Sequence, residues 1–248
     1  MMQQTVYTIL ENTPLTPLIH RMMLSGDTSA ITAPGQFVNI RLDGLYLRRP
    51  ISVCDWDDNG LTLIYKVVGR GTEQLARMVP GQALDCLVGL GNGYDLSPAG
   101  ERPLLVGGGV GVPPLYGLAR RLIAQGRRVT VCLGFNTAGE IFYEREFAAL
   151  GCDVRVSTVD GTCGAKGFVT AVLPDSPTHY YACGPEPMLK AVFNALDCPG
   201  QLSFEARMGC GFGACMGCTC ETITGHKRIC KDGSVLFHDE ILWKDGNK

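Results

Sequence analysis

Residues 103–126 read PLLVGGGVGVPPLYGLARRLIAQG. A short apolar run enters three consecutive glycines, and two prolines then open a stretch with apolar residues at helical spacing. This predicts a buried strand, a glycine turn and an amphipathic helix closed by Gly126. Proline suits the first helical turn, where its missing N–H has no intrahelical partner. Glycines at such a turn let the backbone approach a phosphate, and the helix start offers free N–H groups. The spacing departs from G-x-G-x-x-G, so the turn reads either as a nucleotide cradle or as a tight turn without a ligand.

The same rhythm continues downstream. RVTVCLGF (128–135) predicts a strand and EIFYEREFAALG (140–151) a helix stopped by glycine. DVRVSTVD, FVTAVL, THYYACG and EPMLKAVFNAL carry the alternation to residue 196. Strand–helix alternation at this spacing predicts a parallel sheet with helices on both faces. Upstream the pattern changes to short runs between turn residues: VYTIL, QFVNIRL, ISVCDW, LTLIYKVV and LDCLVGL. These predict an antiparallel barrel or sandwich. One helix is expected at GTEQLARMV (71–79), with Thr72 as cap and Leu75, Ala76 and Val79 facing inward. The expected division is a β barrel over 1–98, an α/β domain over 99–200 and a small cysteine-bearing segment over 201–248. That last segment has too few apolar residues to build its own core, so a metal cluster is expected to staple it.

Composition narrows the class. Hydrophobic residues make up 46% of the chain and charged residues 19%, which supports packed cores and excludes disorder. Lysine and arginine total 22 against 24 acidic residues, so no nucleic-acid footprint is expected. The N-terminus lacks the pattern of a signal peptide. The longest uncharged apolar stretch, Leu104–Ala119, is interrupted by glycine and proline and falls short of the roughly 20 residues of a spanning helix. A cytoplasmic protein without membrane segments is expected. In a reducing compartment, cysteines bind metal or pack rather than form disulfides.

The cysteines are concentrated in GCGFGACMGCTC (209–220), which holds four of the chain's twelve. Cys210, Cys215 and Cys218 form C-x4-C-x2-C, and Cys230 follows after eleven residues. The first part matches the spacing of plant-type [2Fe–2S] ligands. Structural zinc more often uses two C-x2-C knuckles, and this loop holds one. The iron–sulfur reading is therefore preferred over zinc, and zinc over disulfides. Small residues around the cysteines leave backbone N–H groups free to reach the sulfurs. Cys220 reads as a packing residue or a substitute ligand.

Three further stretches carry chemistry. YACGPEPM (181–188) is a second strand-to-helix turn, expected at the same carboxyl edge of the sheet as Gly107–Gly111. Cys183 within it is either a small buried hydrophobe or a site residue. RRPISV (48–53) sets two arginines before a strand, where a planar, always-charged guanidinium suits a diphosphate or belongs to a solvated rim. VVGRGT (67–72) is another glycine turn that fits a phosphate. The four histidines are scattered, and no G-x-S-x-G elbow or carboxylate pair suggests hydrolysis.

The order RPIS, GRGT, GGGVGVPP, CGPEPM resembles the ferredoxin–NADP⁺ reductase superfamily, as does PGQFVNI (34–40). Within it, the C-terminal cysteine pattern is similar to the electron-transfer subunits of type B dihydroorotate dehydrogenases. The resemblance spans nearly the whole chain. It implies an FAD barrel, an NAD domain and a [2Fe–2S] segment. Arg49, Pro50, Ile51 and Ser52 match the flavin strand, with Ile51 in place of the superfamily's usual tyrosine. Tyr65, Lys66 and Val67 fall on the next flavin-facing strand, and Gly71 and Thr72 on the diphosphate turn. Gly107, Gly108, Gly109 and Gly111, with Gly184 and Pro185, match the pyridine-nucleotide edge, and Cys183 is the catalytic candidate there. Cys210, Cys215, Cys218 and Cys230 match the cluster ligands. No arginine follows VTVCLGF to meet a 2′-phosphate, so NAD is favoured over NADP, with Glu140 the one candidate ribose acid.

The resemblance also implies a partner, an FMN-containing dihydroorotate dehydrogenase subunit, in a heterotetramer of two copies of each chain. Electrons would pass from that FMN through the cluster and FAD to NAD⁺, in pyrimidine (UMP) biosynthesis. Two alternatives remain at this point: the reductase subunit of a hydrogenase or oxygenase, and a zinc-bound interaction module without catalysis.

Overall fold

The structure, a computed structural model, describes residues 2–243. Its first half is a closed antiparallel barrel of β1 (Gln3–Pro14), β2 (Ile19–Ser25), β3 (Phe37–Ile40), β4 (Arg49–Asp57) and β5 (Gly60–Lys66), with helix α1 (Arg70–Ala76) and then β6 (Ala83–Leu90). The strands are ordered β1-β2-β5-β4-β3-β6, and β6 pairs back with β1 to close the ring. Alternation along β6 shows why: Leu84, Cys86, Val88 and Leu90 are buried while the residues between them are more open. The barrel interior holds Tyr7, Met22, Val38, Val53, Leu63 and Leu75.

The helix expected over 71–79 is shorter and capped differently. It ends at Ala76, and Val79 lies outside it, 56% exposed. Thr72 sits inside the first turn, where its hydroxyl accepts from the backbone N–H groups of Val68 and Gly69. It therefore caps backwards, as in a capping box. Leu75 is fully buried as expected.

The second half is built from β7 (Pro103–Gly108), α2 (Pro113–Ala124), β8 (Thr130–Phe135), α3 (Glu144–Ala149), β9 (Asp153–Thr158), β10 (Ala165–Lys166), β11 (His179–Cys183), α4 (Glu186–Ala195) and β12 (Gly200–Ser203). The sheet order is β10-β9-β8-β7-β11-β12, all parallel. Strand residues alternate between two cores. Leu105, Val131 and Leu133 pack with Leu115, Leu118 and Leu122 of α2. Leu104, Val106 and Cys132 pack with Leu189 and Val192 of α4. Both faces are covered, as parallel sheets require. The helix expected from residue 140 starts only at Glu144, and FVTAVL supplies a 3₁₀ turn, Val169–Val172.

The cysteine segment forms a small hairpin of β13 (Thr219–Thr222) and β14 (Gly225–Arg228). After it, β15 (Val235–Phe237) pairs antiparallel with β12 and becomes the seventh strand of the sheet. The segment is thus held by strand pairing. It also packs on the barrel, where Cys218, Ile229 and Cys230 meet Phe37 and Leu90. Among the described residues no helix is long and apolar enough to cross a membrane.

Candidate functional site

In the parallel sheet the chain winds outward from β7 in one direction through β8 and β9, and in the other through β11 and β12. Ligands of open α/β sheets bind at the carboxyl ends of strands where that direction reverses, here between β7 and β11. The two glycine turns meet at that point. A Cβ on Gly111 would lie 2.3 Å from the carbonyl oxygen of Cys183, and one on Gly108 would lie 2.4 Å from Met188 Sδ. Gly184, at φ +159°, also abuts Met188. Only glycine permits this closeness. The turns Gly107–Gly111 and Cys183–Pro185 therefore abut at the strand ends rather than standing as two separate loops.

Cys183 stands at the end of β11, paired with Gly107. Burial pushes its thiol up to about 12, with hydrogen bonding toward Ser203 and Tyr94 opposing that rise. A group so raised stays a neutral thiol at physiological pH and is no nucleophilic thiolate. Beyond β8, the Glu140 carboxylate accepts from the backbone N–H and the side-chain amide of Asn136. That fixes an acid beside the strand end, and no arginine occupies the loop 136–140.

On the barrel, neighbouring arginines part company. Arg48 donates from Nη1 to the Asp85 carboxylate at 2.8 Å and to the carbonyls of Asn39 and Asp85. Arg49 instead lies across the GRGT turn, where a Cβ on Gly71 would sit 2.2 Å from its Nε. Pro50, Ile51 and Ser52 follow on β4, opposite Asn39, Val38 and Phe37. The Thr72 hydroxyl is spent on its own turn, so Thr72 shapes the turn rather than offering a free donor. The Tyr65 ring is 2% exposed, its hydroxyl donates to Asn12 Oδ1, and its ring stacks on His20. Tyr65 thus presents only its backbone to the barrel exterior, with Lys66 exposed and Val67 half-buried beside it.

The cysteine loop is organised in two pairs. Cys210 and Cys215 exchange backbone N–H contacts to each other's sulfur, at 3.5 and 3.4 Å, and Ala214 N–H adds a third at 3.2 Å. The Cys230 N–H reaches Cys218 Sγ at 3.4 Å. Arg228 ties the two halves together by donating to the Gly213 carbonyl at 2.8 Å while Asp232 holds its guanidinium. Burial raises the Cys210 thiol, but backbone N–H donation from Cys215, Phe212 and Ala214 outweighs it and brings the value down to about 6. Burial and the neighbouring Cys218 and Cys210 push Cys230 up to about 12. Thiols crowded this way repel one another as anions, and a multiply charged cation would relieve that. Among the described residues no three His, Cys, Asp or Glu side chains converge as a mononuclear ion would need. Two pairs with N–H groups aimed at sulfur suit a binuclear cluster, in which each iron takes two thiolates. Cys220 is half-buried against apolar neighbours and its thiol is raised by burial, in keeping with packing.

One contributor escaped the sequence reading. Asn39, 1% exposed in the middle of β3, donates from Nδ2 to the Cys210 carbonyl at 3.2 Å. A buried asparagine within QFVNIRL was the available signal.

Known proteins resemble this chain in sequence and in fold. Residues 205–242 match the iron-sulfur cluster binding domain of dihydroorotate dehydrogenase B, and residues 105–194 match the oxidoreductase NAD-binding domain. The chain is 45% identical to the dihydroorotate dehydrogenase B (NAD(+)) electron transfer subunit of Geobacillus sp. (strain WCH70), over 98% of this chain and all of that one. It is 43% identical to the subunit of the same name from Fusobacterium nucleatum subsp. nucleatum, over 94% and 96% of the two chains. Among solved structures it is similar to an NADH-dependent reduced ferredoxin-NADP oxidoreductase studied for flavin-based electron bifurcation, with TM-score 0.86 and 28% identity over 96% of this chain and 90% of that one. A ferredoxin NADP+ reductase from Neisseria gonorrhoeae with bound FAD and NADP shares the fold, with TM-score 0.68 and 19% identity over 77% of this chain and 89% of that one. With barrel, switch-point crevice and paired cysteines in this order, and relatives matched end to end, the chain belongs to the family of dihydroorotate dehydrogenase B electron transfer subunits.

Proposed function

We propose that this chain carries electrons between an FMN-bearing catalytic subunit that oxidises dihydroorotate and NAD⁺, with a [2Fe–2S] cluster and FAD as relays. The observation that carries the reading is the position of β3. It is paired on one side with the RPIS strand and touches the cluster loop through Asn39.

The division of labour among the residues follows. Cys210, Cys215, Cys218 and Cys230 would hold the cluster, with the N–H groups of Cys210, Ala214, Cys215 and Cys230 turned to sulfur. Arg49 and the Gly71 turn would receive the FAD diphosphate, and Ile51 and Ser52 follow on the strand that would carry the ring. Gly107–Gly111 and Cys183–Pro185 seat the nicotinamide nucleotide at the switch point, with Cys183 contributing a neutral thiol beside it. Glu140 selects the unphosphorylated ribose. When bound, FAD supplies the conversion between single-electron and hydride chemistry, which no side chain here provides. The residues' task is to fix distance and orientation and to exclude water.

A heterotetramer of two copies of each subunit and a role in pyrimidine biosynthesis in the cytoplasm complete the proposal. All three zones of this chain are assigned to its relays, so none is left for a carboxylated substrate ring. The test is to assay the chain alone and with an FMN-bearing partner. NADH oxidation with artificial acceptors is expected from the chain alone, and dihydroorotate-dependent NADH formation only with the partner. Dihydroorotate oxidation by the chain alone would overturn the proposal.

A further inference from the structure

We propose that Asn39 is a positioning residue that locks the Cys210 end of the cluster loop to the flavin strand, and so sets the rate of electron passage between cluster and FAD. The inference rests on the functional reading above and adds a residue to it.

Asn39 lies where three features meet. Its backbone is opposite Pro50 of the RPIS strand. The Arg48 guanidinium, itself anchored on Asp85, donates to the Asn39 carbonyl at 3.2 Å. Its side chain points to the cluster loop, donating to the Cys210 carbonyl. Gly211 seals the contact, for a Cβ there would lie 2.2 Å from Asn39 Nδ2 and its φ of +79° favours glycine. The loop's first ligand is thus pinned on one side by the barrel.

The amide is not explained by folding of the barrel. Its Oδ1 is buried without a hydrogen-bond partner in the chain. An apolar residue of the same shape would avoid that desolvation cost. What only the amide offers is an N–H for Cys210. The barrel therefore carries a stability cost at this position whose return is placement of the cluster.

Asn39→Leu and Asn39→Val remove that donor without burying a new polar group. In the test, NADH delivers two electrons to FAD as a hydride, and the oxidised cluster accepts one of them while the other stays on the flavin. Flavin bleaching reports the first event, and the electron paramagnetic resonance of the freeze-quenched cluster reports the second. In both variants, cluster reduction should slow about tenfold, because displacement on the order of an ångström is enough for such a loss. FAD content and flavin bleaching should match the wild type, and the melting temperature of Asn39→Leu should be equal or higher. Loss of iron with FAD retained would also support the assignment. Unchanged cluster reduction in both variants would overturn it, as would loss of FAD together with iron, which would make Asn39 a barrel residue. If the wild-type chain itself is not reduced by NADH, the functional reading fails whatever the variants do.

Discussion

Gly71 and Arg49 fit each other so closely that a single methyl group on Gly71 would stand 2.2 Å from the arginine Nε. Arg48, one residue earlier, points elsewhere and is bound to Asp85. The two arginines should therefore fail in different ways. Arg49→Ala should weaken FAD binding by roughly 1.5–3 kcal/mol, about ten- to a hundredfold, with little change in melting. Arg48→Ala should lower stability by about 1–3 kcal/mol through loss of its bonds to Asp85 and to the Asn39 carbonyl. Flavin retention on gel filtration and a urea titration of each variant separate the two, and equal flavin loss in both would contradict this division.

Serine at Cys210, Cys215, Cys218 or Cys230 should abolish or destabilise the cluster, because thiolates are the matched ligands of ferric iron. Cys220→Ser should keep it, since Cys220 packs rather than faces the pairs. Iron per chain and visible circular dichroism after anaerobic preparation decide the matter. Iron loss from Cys220→Ser, with retention in Cys218→Ser, would reverse the ligand assignment.

His179 gives a pH signature in the nucleotide domain. It is 1% exposed, and burial lowers its pKa from 6.5 to about 4. The unfolded chain therefore binds the proton more readily than the folded one between those values. Stability from this group is fully present above pH 6.5 and falls as pH drops toward 4, by on the order of 3 kcal/mol in all. His179→Gln should flatten the difference between urea midpoints at pH 7 and pH 5. A variant with the same acid sensitivity as wild type would remove His179 as its source.

The two halves are joined by a clamp on Trp56. The Arg121 guanidinium lies 3.5 Å over its ring, and Asp55 accepts from Arg120 at 2.7 Å. The Arg120 pair is 42% exposed on the arginine side and should add little by itself. Arg121→Ala should cost about 1–2 kcal/mol. Trp56→Leu, which keeps an apolar side chain but removes the ring, should cost a similar amount in thermal melting, and a loss confined to Arg120→Ala would place the clamp on the ion pair instead.

How much was legible follows from where the information sits. GGGVGVPP and CGPEPM announced strand-to-helix turns locally, because glycine and proline act on their own backbone. Their meeting over Gly111 and Cys183 required the sheet order, which pairs β7 with β11 although 70 residues separate Gly108 from His179 in the chain. The unlike fates of Arg48 and Arg49 also needed the fold, since Arg48 precedes β4 and reaches Asp85 while Arg49 opens the strand and lies against Gly71. Asn39 stood out only as a polar residue inside QFVNIRL, and its role needed the fold because its partner lies 171 positions away. Val235–Phe237 is too short and too closely flanked by charge to read as a strand, and only its pairing with β12 reveals it. Val79 misled through helical spacing that continued past Ala76, where the backbone had already turned.

The pairing of Ser203 with Val235 means that the cysteine segment leaves and rejoins the chain at one place on the sheet edge. Its two ends are fastened to one sheet edge, so strand pairing bears part of the entropy of closing that excursion. A carrier built this way cannot travel. In the proposed relay, electrons would be brought to a stationary port, and the reach between donor and acceptor would be set by how the partner subunit comes to rest, not by the swing of a tethered arm.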